Sequence, residues 1–415
     1  MKSRFLKTRL LNKNSSFPNR IIVLTGARQT GKTTLARQCF PSYAYLSIED
    51  PVLRIQYKNL TAAQWHNFYP RAILDEVQKE PVLIESIKSV YDQYEDVYYL
   101  LLGSSQLLLL KKVKESLAGR CIIEEIMPLT LPEILTHKWQ EDPKFSWYQQ
   151  FLTTGEIPPF LSSFELYPDY AARMEAFQYY LINGGYPALV NKNMNDGERF
   201  EWLKDYVRTY LERDLRDLVE LRSLEPFVRI QKITALLTGQ LINYSQLGKE
   251  AGVTSKTAQR FLQYLEISYQ TILLQPWTRN KIKRLIKTPK LHYLDPGVQR
   301  AILQKRGDPD GNEYESTVVG EIYKQTKVLH FNGSFYHLRT HDGAETDLLL
   351  EKENGFLAFE IKMTEHAGKK EARHLYKLPG ILDKPLLQGF VLSNDRQIKQ
   401  LDDNILALPA AMFLT

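Results

Sequence analysis

Gly26-Ala27-Arg28-Gln29-Thr30-Gly31-Lys32-Thr33 has the eight-residue form G-x-x-x-x-G-K-[ST] of a phosphate-binding loop. Its surroundings are those such a loop requires. Ile21-Ile22-Val23-Leu24-Thr25 is a short apolar strand before it, and Thr33 to Phe40 suits a helix after it. Glycines let the backbone bend around an anion, so that successive N–H groups and the helix N-terminus point at phosphate oxygens. Lys32 would neutralise the β/γ oxygens, and the Thr33 hydroxyl would ligate Mg²⁺.

Working outward, the same alternation continues. Tyr43 to Ile48, Ala72-Ile73-Leu74-Asp75, Val97 to Leu102 and Cys121 to Ile126 read as strands, with a helix over Val82 to Tyr91. Continuous apolar strands alternating with helices predict a parallel sheet covered on both faces. Ala72-Ile73-Leu74-Asp75-Glu76 has the form of a Walker B strand: apolar residues bury it and leave Asp75 beside the metal. Glu76, next along, can orient or deprotonate an attacking water, which favours hydrolysis over transfer to a small molecule. In Leu101-Leu102-Gly103-Ser104-Ser105-Gln106, Ser104 and Ser105 suit a contact to the γ-phosphate or the lytic water, and equally a helix cap. Arg120, just before the last strand, is a candidate arginine finger for a neighbouring subunit.

The chain has 415 residues, more than one hydrophobic core usually organises, and 43% are apolar against 25% charged, which excludes a mainly disordered chain. Two cysteines cannot make a disulfide framework, no Cys/His cluster has zinc spacing, and no apolar run spans a bilayer. A reduced, cytoplasmic protein without membrane association is the expectation. The net charge of +6 says little by itself, but Arg279, Lys281, Lys283, Arg284, Lys287 and Lys290 follow one another with no acid among them.

Three further stretches stand out. Tyr244 to Ala251, a Gly252-Val253 turn and Thr254 to Leu262 form a helix-turn-helix pattern. It would expose Lys256 and Arg260 and bury Leu247, Val253, Ala258 and Leu262. With Lys281, Lys283 and Arg284 in the following basic stretch, these are candidate contacts to DNA phosphates; a packing module with a solvated basic face is the other reading. Glu345 to Leu350 and Phe356 to Ile361 suit a strand hairpin, on which the period of two puts Glu360 and Lys362 on one face near Asp347. Two carboxylates can hold a hard cation, and a lysine beside them can offset developing charge, although charged hairpins also produce this pattern by chance. His337 and His341 read as a surface pair, and the stretch from about 137 to 167 has no functional reading.

The ordered set GARQTGKTT, ILDEVQ, LLGSSQ, ESLAGR and Pro-Leu-Thr-Leu-Pro-Glu resembles the AAA-type ATPases of archaea and bacteria that carry a C-terminal nuclease-like domain of unknown function. Gly184-Gly185-Tyr186-Pro187, Tyr210-Leu211-Glu212-Arg213-Asp214-Leu215 and Lys287-Thr288-Pro289-Lys290 with Asp295 extend the resemblance nearly end to end. It implies an α/β architecture: an AAA-type P-loop ATPase core over 1–135, a helical connector or lid over 136–225, a winged-helix-like module over 226–295, and a restriction-endonuclease-like α/β domain over 296–415. It implies ATP as the nucleotide, held by Gly26 through Thr33 and Thr34, and a homo-oligomer. The hairpin resembles the D…(E)xK core of PD-(D/E)xK nucleases, with Asp347, Glu360 and an upstream Glu321 on the metal and Lys362 polarising water. Two functions follow: an ATPase driving a DNA-handling domain, or a nucleotide-switched regulator of protein partners whose nuclease-like domain is inactive.

Overall fold

The computed structural model describes residues 1–13, 20–103, 113, 115–190, 193–211, 224–280, 288–340 and 343–415. Ser104, Ser105, Lys281, Lys283, Arg284, His341 and the Glu212-Arg213-Asp214-Leu215 part of the middle motif lie outside the described residues.

The N-terminal sheet has five parallel strands: β1 (Ile21–Thr25), β2 (Ala44–Ser47), β3 (Arg71–Asp75), β4 (Tyr98–Leu102) and β5 (Cys121–Glu125), in the order β2-β3-β4-β1-β5. The expected parallel sheet is present, and its interior is apolar on both faces, because helices such as Lys32–Cys39 and Val82–Gln93 cover it. β4 separates β1 from β3, so the loop after β1 and the acidic end of β3 flank one crevice at the carboxyl edge.

The stretch 137–167, silent in the sequence, clamps the N-terminal part to the C-terminal part. Helix Trp147–Thr154 lays Tyr148 against Phe413 (centroids 5.6 Å apart) and Phe151 against Phe390 (5.3 Å). The Ser146 hydroxyl donates to Gln325 Oε1 at 2.6 Å, and the Phe164 N–H donates to the Arg396 carbonyl at 2.8 Å. Capping boxes at Thr130, just before this stretch, and at Ser146 within it start helices Leu131–Leu135 and Trp147–Thr154.

Beyond it, helix Tyr170–Asn183 leads into Gly184-Gly185-Tyr186-Pro187, and helix Asp196–Tyr206 continues as a π-helical segment, Val207–Leu211. Then come helix Glu225–Leu236, β6 (Gln240–Leu241), helices Tyr244–Ala251 and Ser255–Ile267, β7 (Thr271–Pro276) and β8 (Lys290–Tyr293). Leu247, Ala258 and Leu262 are buried and Val253 partly so, while Lys256 and Arg260 are exposed. Antiparallel pairing of β6 and β7 with β8 makes a small sheet. Its β7 joins β9 (Ser334–Arg339), and the ladder runs on through β10 (Glu345–Lys352), β11 (Gly355–Lys362), β12 (Leu386–Ser393), β14 (Ile405–Pro409) and β13 (Lys399–Asp402). Helix Gly311–Val328 packs across this sheet. His337, expected at the surface, is buried on β9, where a ring nitrogen lies 3.2 Å from the Thr288 carbonyl and burial lowers its pKa to about 4.

These parts meet at one buried carboxylate. Asp295 accepts from the Gly185 N–H at 2.8 Å and, through its other oxygen, caps helix Pro296–Leu303 at the Val298 N–H. The Gly185 carbonyl in turn accepts from the Leu129 N–H at 2.7 Å. A Cβ on Gly185 would stand 2.3 Å from the Leu129 carbonyl oxygen, so the approach admits only glycine. We expect Asp295→Ala to lower the unfolding free energy by about 2–4 kcal/mol in urea titration, from a lost cap and a buried N–H left without an acceptor; Asp295→Asn, which keeps one acceptor oxygen and sets an amide donor against the other N–H, should retain only part of it.

Glu266, on helix Ser255–Ile267, is largely buried, and burial pushes its carboxyl up to about 7, against a weaker opposing pull from the Leu273 backbone N–H. The folded protein therefore holds a proton that the unfolded chain releases near 4.5, so this contribution to stability is complete at low pH and vanishes as pH climbs through 7. Melting temperatures measured from pH 5 to 8 should fall less steeply for Glu266→Gln than for the parent.

Candidate functional site

The loop after β1 closes on itself. Gly31, at φ 91°, caps helix Lys32–Cys39 in a left-handed conformation, and a Cβ on Gly26 would lie 2.1 Å from the Ile126 carbonyl oxygen. The Lys32 ammonium is buried and donates to the carbonyls of Gly26 (2.9 Å) and Ala27 (2.8 Å). Thr30 donates to the same Ala27 carbonyl at 2.8 Å. The Arg28 carbonyl accepts from the Tyr206 hydroxyl at 3.3 Å, while Gln29 and Thr34 are exposed.

Opposite, the Thr33 hydroxyl donates to Asp75 Oδ2 at 2.6 Å. A hydroxyl and a carboxylate oxygen at that separation are the donor set of a hard divalent ion, so these residues fit Mg²⁺. Tyr45, from β2, donates its hydroxyl to the same Asp75 oxygen at 2.8 Å, a partner the sequence did not reveal. Glu76 sits at φ 60°, a strained left-handed conformation for a non-glycine residue, with Gln78 Nε2 donating to its carboxylate at 2.6 Å. Arg120 directly precedes β5, whose Cys121 pairs with Ile21 at the start of β1, so it lies at the end of the strands away from the loop, where Asp92 receives its guanidinium through two bonds of 2.7 and 3.2 Å. It is thus about 15 Å of strand away from its own phosphate loop and faces outward.

The second constellation lies where β8, β10, β11 and helix Gly311–Val328 converge, around a cleft of about 430 Å³. Asp347, Glu360 and Lys362 meet there as the hairpin spacing implied: Lys362 Nζ lies 2.9 Å from Asp347 Oδ2 and 3.0 Å from Glu360 Oε2. Glu321 does not join them. It is fully buried on another face of its helix, accepting from the Leu131 N–H at 2.7 Å and paired with Lys324 at 2.9 Å. Residues six apart on a helix point about 120° apart, and it is Glu315 that faces the cleft. Lys290, expected within a basic surface stripe, is buried among the acids, 2.6 Å from Glu315 Oε1 and 3.2 Å from Asp347 Oδ1.

Electrostatics follow from this packing. Burial, reinforced by the Asp347 charge, raises Glu315 to about 8 and holds Glu360 well above the usual carboxylate range. Burial would also raise Asp347, but Lys290, Lys362 and the Ile361 N–H hold it below. Among the described residues no three His, Cys, Asp or Glu side chains are disposed to hold a metal ion. Here, with two ammonium groups between the carboxylates, the residues as arranged do not fit a divalent cation.

Residues 18–135 match the model of a family described as an AAA domain. The N-terminal part of the chain is an α/β unit built on a parallel sheet, as that match implies. Residues 174–308 and 310–413 match models described as domains of unknown function, DUF8612 and DUF4143. An uncharacterized protein of Mycobacterium tuberculosis is 25% identical over 405 residues, 95% of this chain and 81% of its own. One of Methanocaldococcus jannaschii is 22% identical over 317 residues, covering 70% of this chain and 64% of its own. Among solved structures, a Walker-type ATPase of Pyrococcus abyssi aligns with TM-score 0.43 and 16% identity, over 72% of this chain and 94% of that one. Cdc6p of Pyrobaculum aerophilum aligns with TM-score 0.25 and 11% identity, over 72% and 92%. Among the described residues no helix is long and apolar enough to cross a membrane.

Removing the Tyr45 hydroxyl leaves Asp75 with one fewer donor fixing its carboxylate. We expect Tyr45→Phe to raise the Mg²⁺ concentration needed for half-maximal binding of a fluorescent ATP analogue by about tenfold, in line with losses at outer-shell ligands, without abolishing binding.

Proposed function

We propose that the chain is a Mg²⁺-dependent ATPase whose cycle of binding and hydrolysis acts on its C-terminal, nuclease-like domain, which handles DNA. The observation that carries the ATPase reading is the 2.6 Å contact between Thr33 and Asp75, beside the G-x-x-x-x-G-K-T loop that follows β1. Lys32 exchanges the Gly26 and Ala27 carbonyls for β- and γ-phosphate oxygens, and Gly26 through Thr34 supply the enclosing N–H groups. Bound by Thr33 and Asp75, Mg²⁺ supplies neutralisation of charge on the phosphates. Glu76 turns from Gln78 to orient the attacking water and take its proton. Ser104 or Ser105 contacts the γ-phosphate, and Arg120 serves a neighbouring subunit in a homo-oligomer.

Lys32→Ala should abolish nucleotide binding. Glu76→Gln should bind ATP with near-parent affinity while turnover falls by about a hundredfold or more. Phosphate release at the parent rate by either variant would reject the assignment.

For the remainder, the order helix, strand, two helices and a two-stranded antiparallel return over 225–293 supports a winged-helix module. Exposed Lys256 and Arg260, with Lys281, Lys283 and Arg284, are its proposed DNA contacts. The mixed sheet carrying Asp347, Glu360 and Lys362 supports the nuclease-like reading of the C-terminal domain. A second reading, a nucleotide-switched regulator acting on protein partners, is favoured by one specific observation, the two lysines packed among the acids. Incubation with plasmid or single-stranded DNA in Mn²⁺, beside Asp347→Ala, separates them: cleavage lost in the variant supports the first, whereas no cleavage and no salt-sensitive DNA binding supports the second.

A further inference from the structure

Lys290 is an unusual tenant of the C-terminal cleft. It belongs to β8 rather than to the hairpin carrying the acids, and it is only 4% exposed. Its ammonium bridges Glu315 and Asp347, so with Lys362 on the other side each oxygen of Asp347 faces a cation. Burial alone would lower its pKa, yet the two carboxylates hold it above the ordinary lysine range, which keeps it charged.

Around it lie buried polar atoms that Lys290 does not satisfy. Glu360 Oε1 is buried and has no hydrogen-bond partner among the described residues. His292 follows Lys290 by two residues on the same face of β8 and is fully buried. Neither of its ring nitrogens has a hydrogen-bond partner among the described residues, and Nε2 lies 3.9 Å from Glu315 Oε1. Burial, with Lys290 adding to it, holds this imidazole well below the usual histidine range and therefore neutral, the form that ligates metals. Oxygen and imidazole donors left unsatisfied in a low-dielectric site are costly unless a ligand uses them.

We infer that the Lys290 ammonium is the resident cation of the cluster formed by Glu315, Asp347 and Glu360, and that a divalent metal ion can occupy the cluster only when Lys290 is out of it. The mention of a metal rests on the nuclease-like reading above; the claim about Lys290 concerns occupancy alone. A compact charge at bonding distance from two of the three acids leaves no room for a second cation beside it, and like charges so close in a buried cleft repel strongly.

The experiment is a Mn²⁺ titration of the full-length, nucleotide-free protein, followed by loss of the free-ion electron paramagnetic resonance signal. Four proteins are compared: parent, Asp347→Asn, Lys290→Met and the double variant. Parent and Asp347→Asn should take up Mn²⁺ alike. Lys290→Met should gain one further site, tighter than background by about tenfold or more, absent from the double variant, and its melting temperature should rise with Mn²⁺ where the parent's does not. Lys290→Gln, which keeps a polar group in the cleft, should gain the same site and serves if the Met variant does not fold. Uptake by the parent that Asp347→Asn abolishes would overturn the inference, as would folded Lys290 variants that gain no site. A gained Mn²⁺ site without DNA cleavage upholds it and removes the nuclease reading instead.

Discussion

The carboxylate of Asp295 is the constraint on which the architecture hangs. It is buried at the meeting of three chain segments, and its two oxygens perform different tasks: one fixes the glycine pair at 184–185, the other starts a helix. The glycine pair holds the chain leaving β5 through Leu129, and the residue after it, Tyr186, shares a hydroxyl contact of 3.0 Å with Tyr206, which reaches the Arg28 carbonyl. A carboxylate so deeply placed is stable only because backbone donors replace the water it has lost. Any change that spreads those segments breaks several bonds together, which makes the joint stiff.

The two clusters of charge solve opposite problems. At the loop after β1, neutral carbonyl oxygens hold the lysine, so no acid among these partners cancels its charge. At the C-terminal cleft the lysines neutralise acids, and removing either ammonium strands a buried carboxylate, which is far more costly.

Much of this was legible from residue order. The parallel sheet could be read because strands covered on both faces are apolar throughout, and the loop after β1 because its glycines and lysine occur at fixed spacing between a strand and a helix. The hairpin bearing Asp347, Glu360 and Lys362 obeyed the period of two. Other features failed for a common reason, that sequence does not say which face of an element meets which neighbour. Glu315 and Glu321 are equivalent glutamates on one helix until the helix is laid on its sheet. Lys290 ended a basic run and resembled its solvated neighbours, although its alternation with Leu291, His292 and Tyr293 held a signal: lysine and histidine on one face, apolar residues on the other. The strands β13 and β14 went unread because they are short and separated by little more than a turn. Tyr45 on Asp75 is a contact between non-adjacent segments that no local pattern encodes.

The Trp147–Thr154 helix carries a practical lesson about cutting the chain. Its aromatic side chains lie in the same apolar interior as Phe359, Phe390 and Phe413 near the other terminus. Segments that look separable on paper thus share one inside. A fragment ending near residue 165 would carry a greasy flank meant for somebody else, and one beginning at 310 would lack the plug for its own hollow; the pair, supplied together as two polypeptides, ought to find each other.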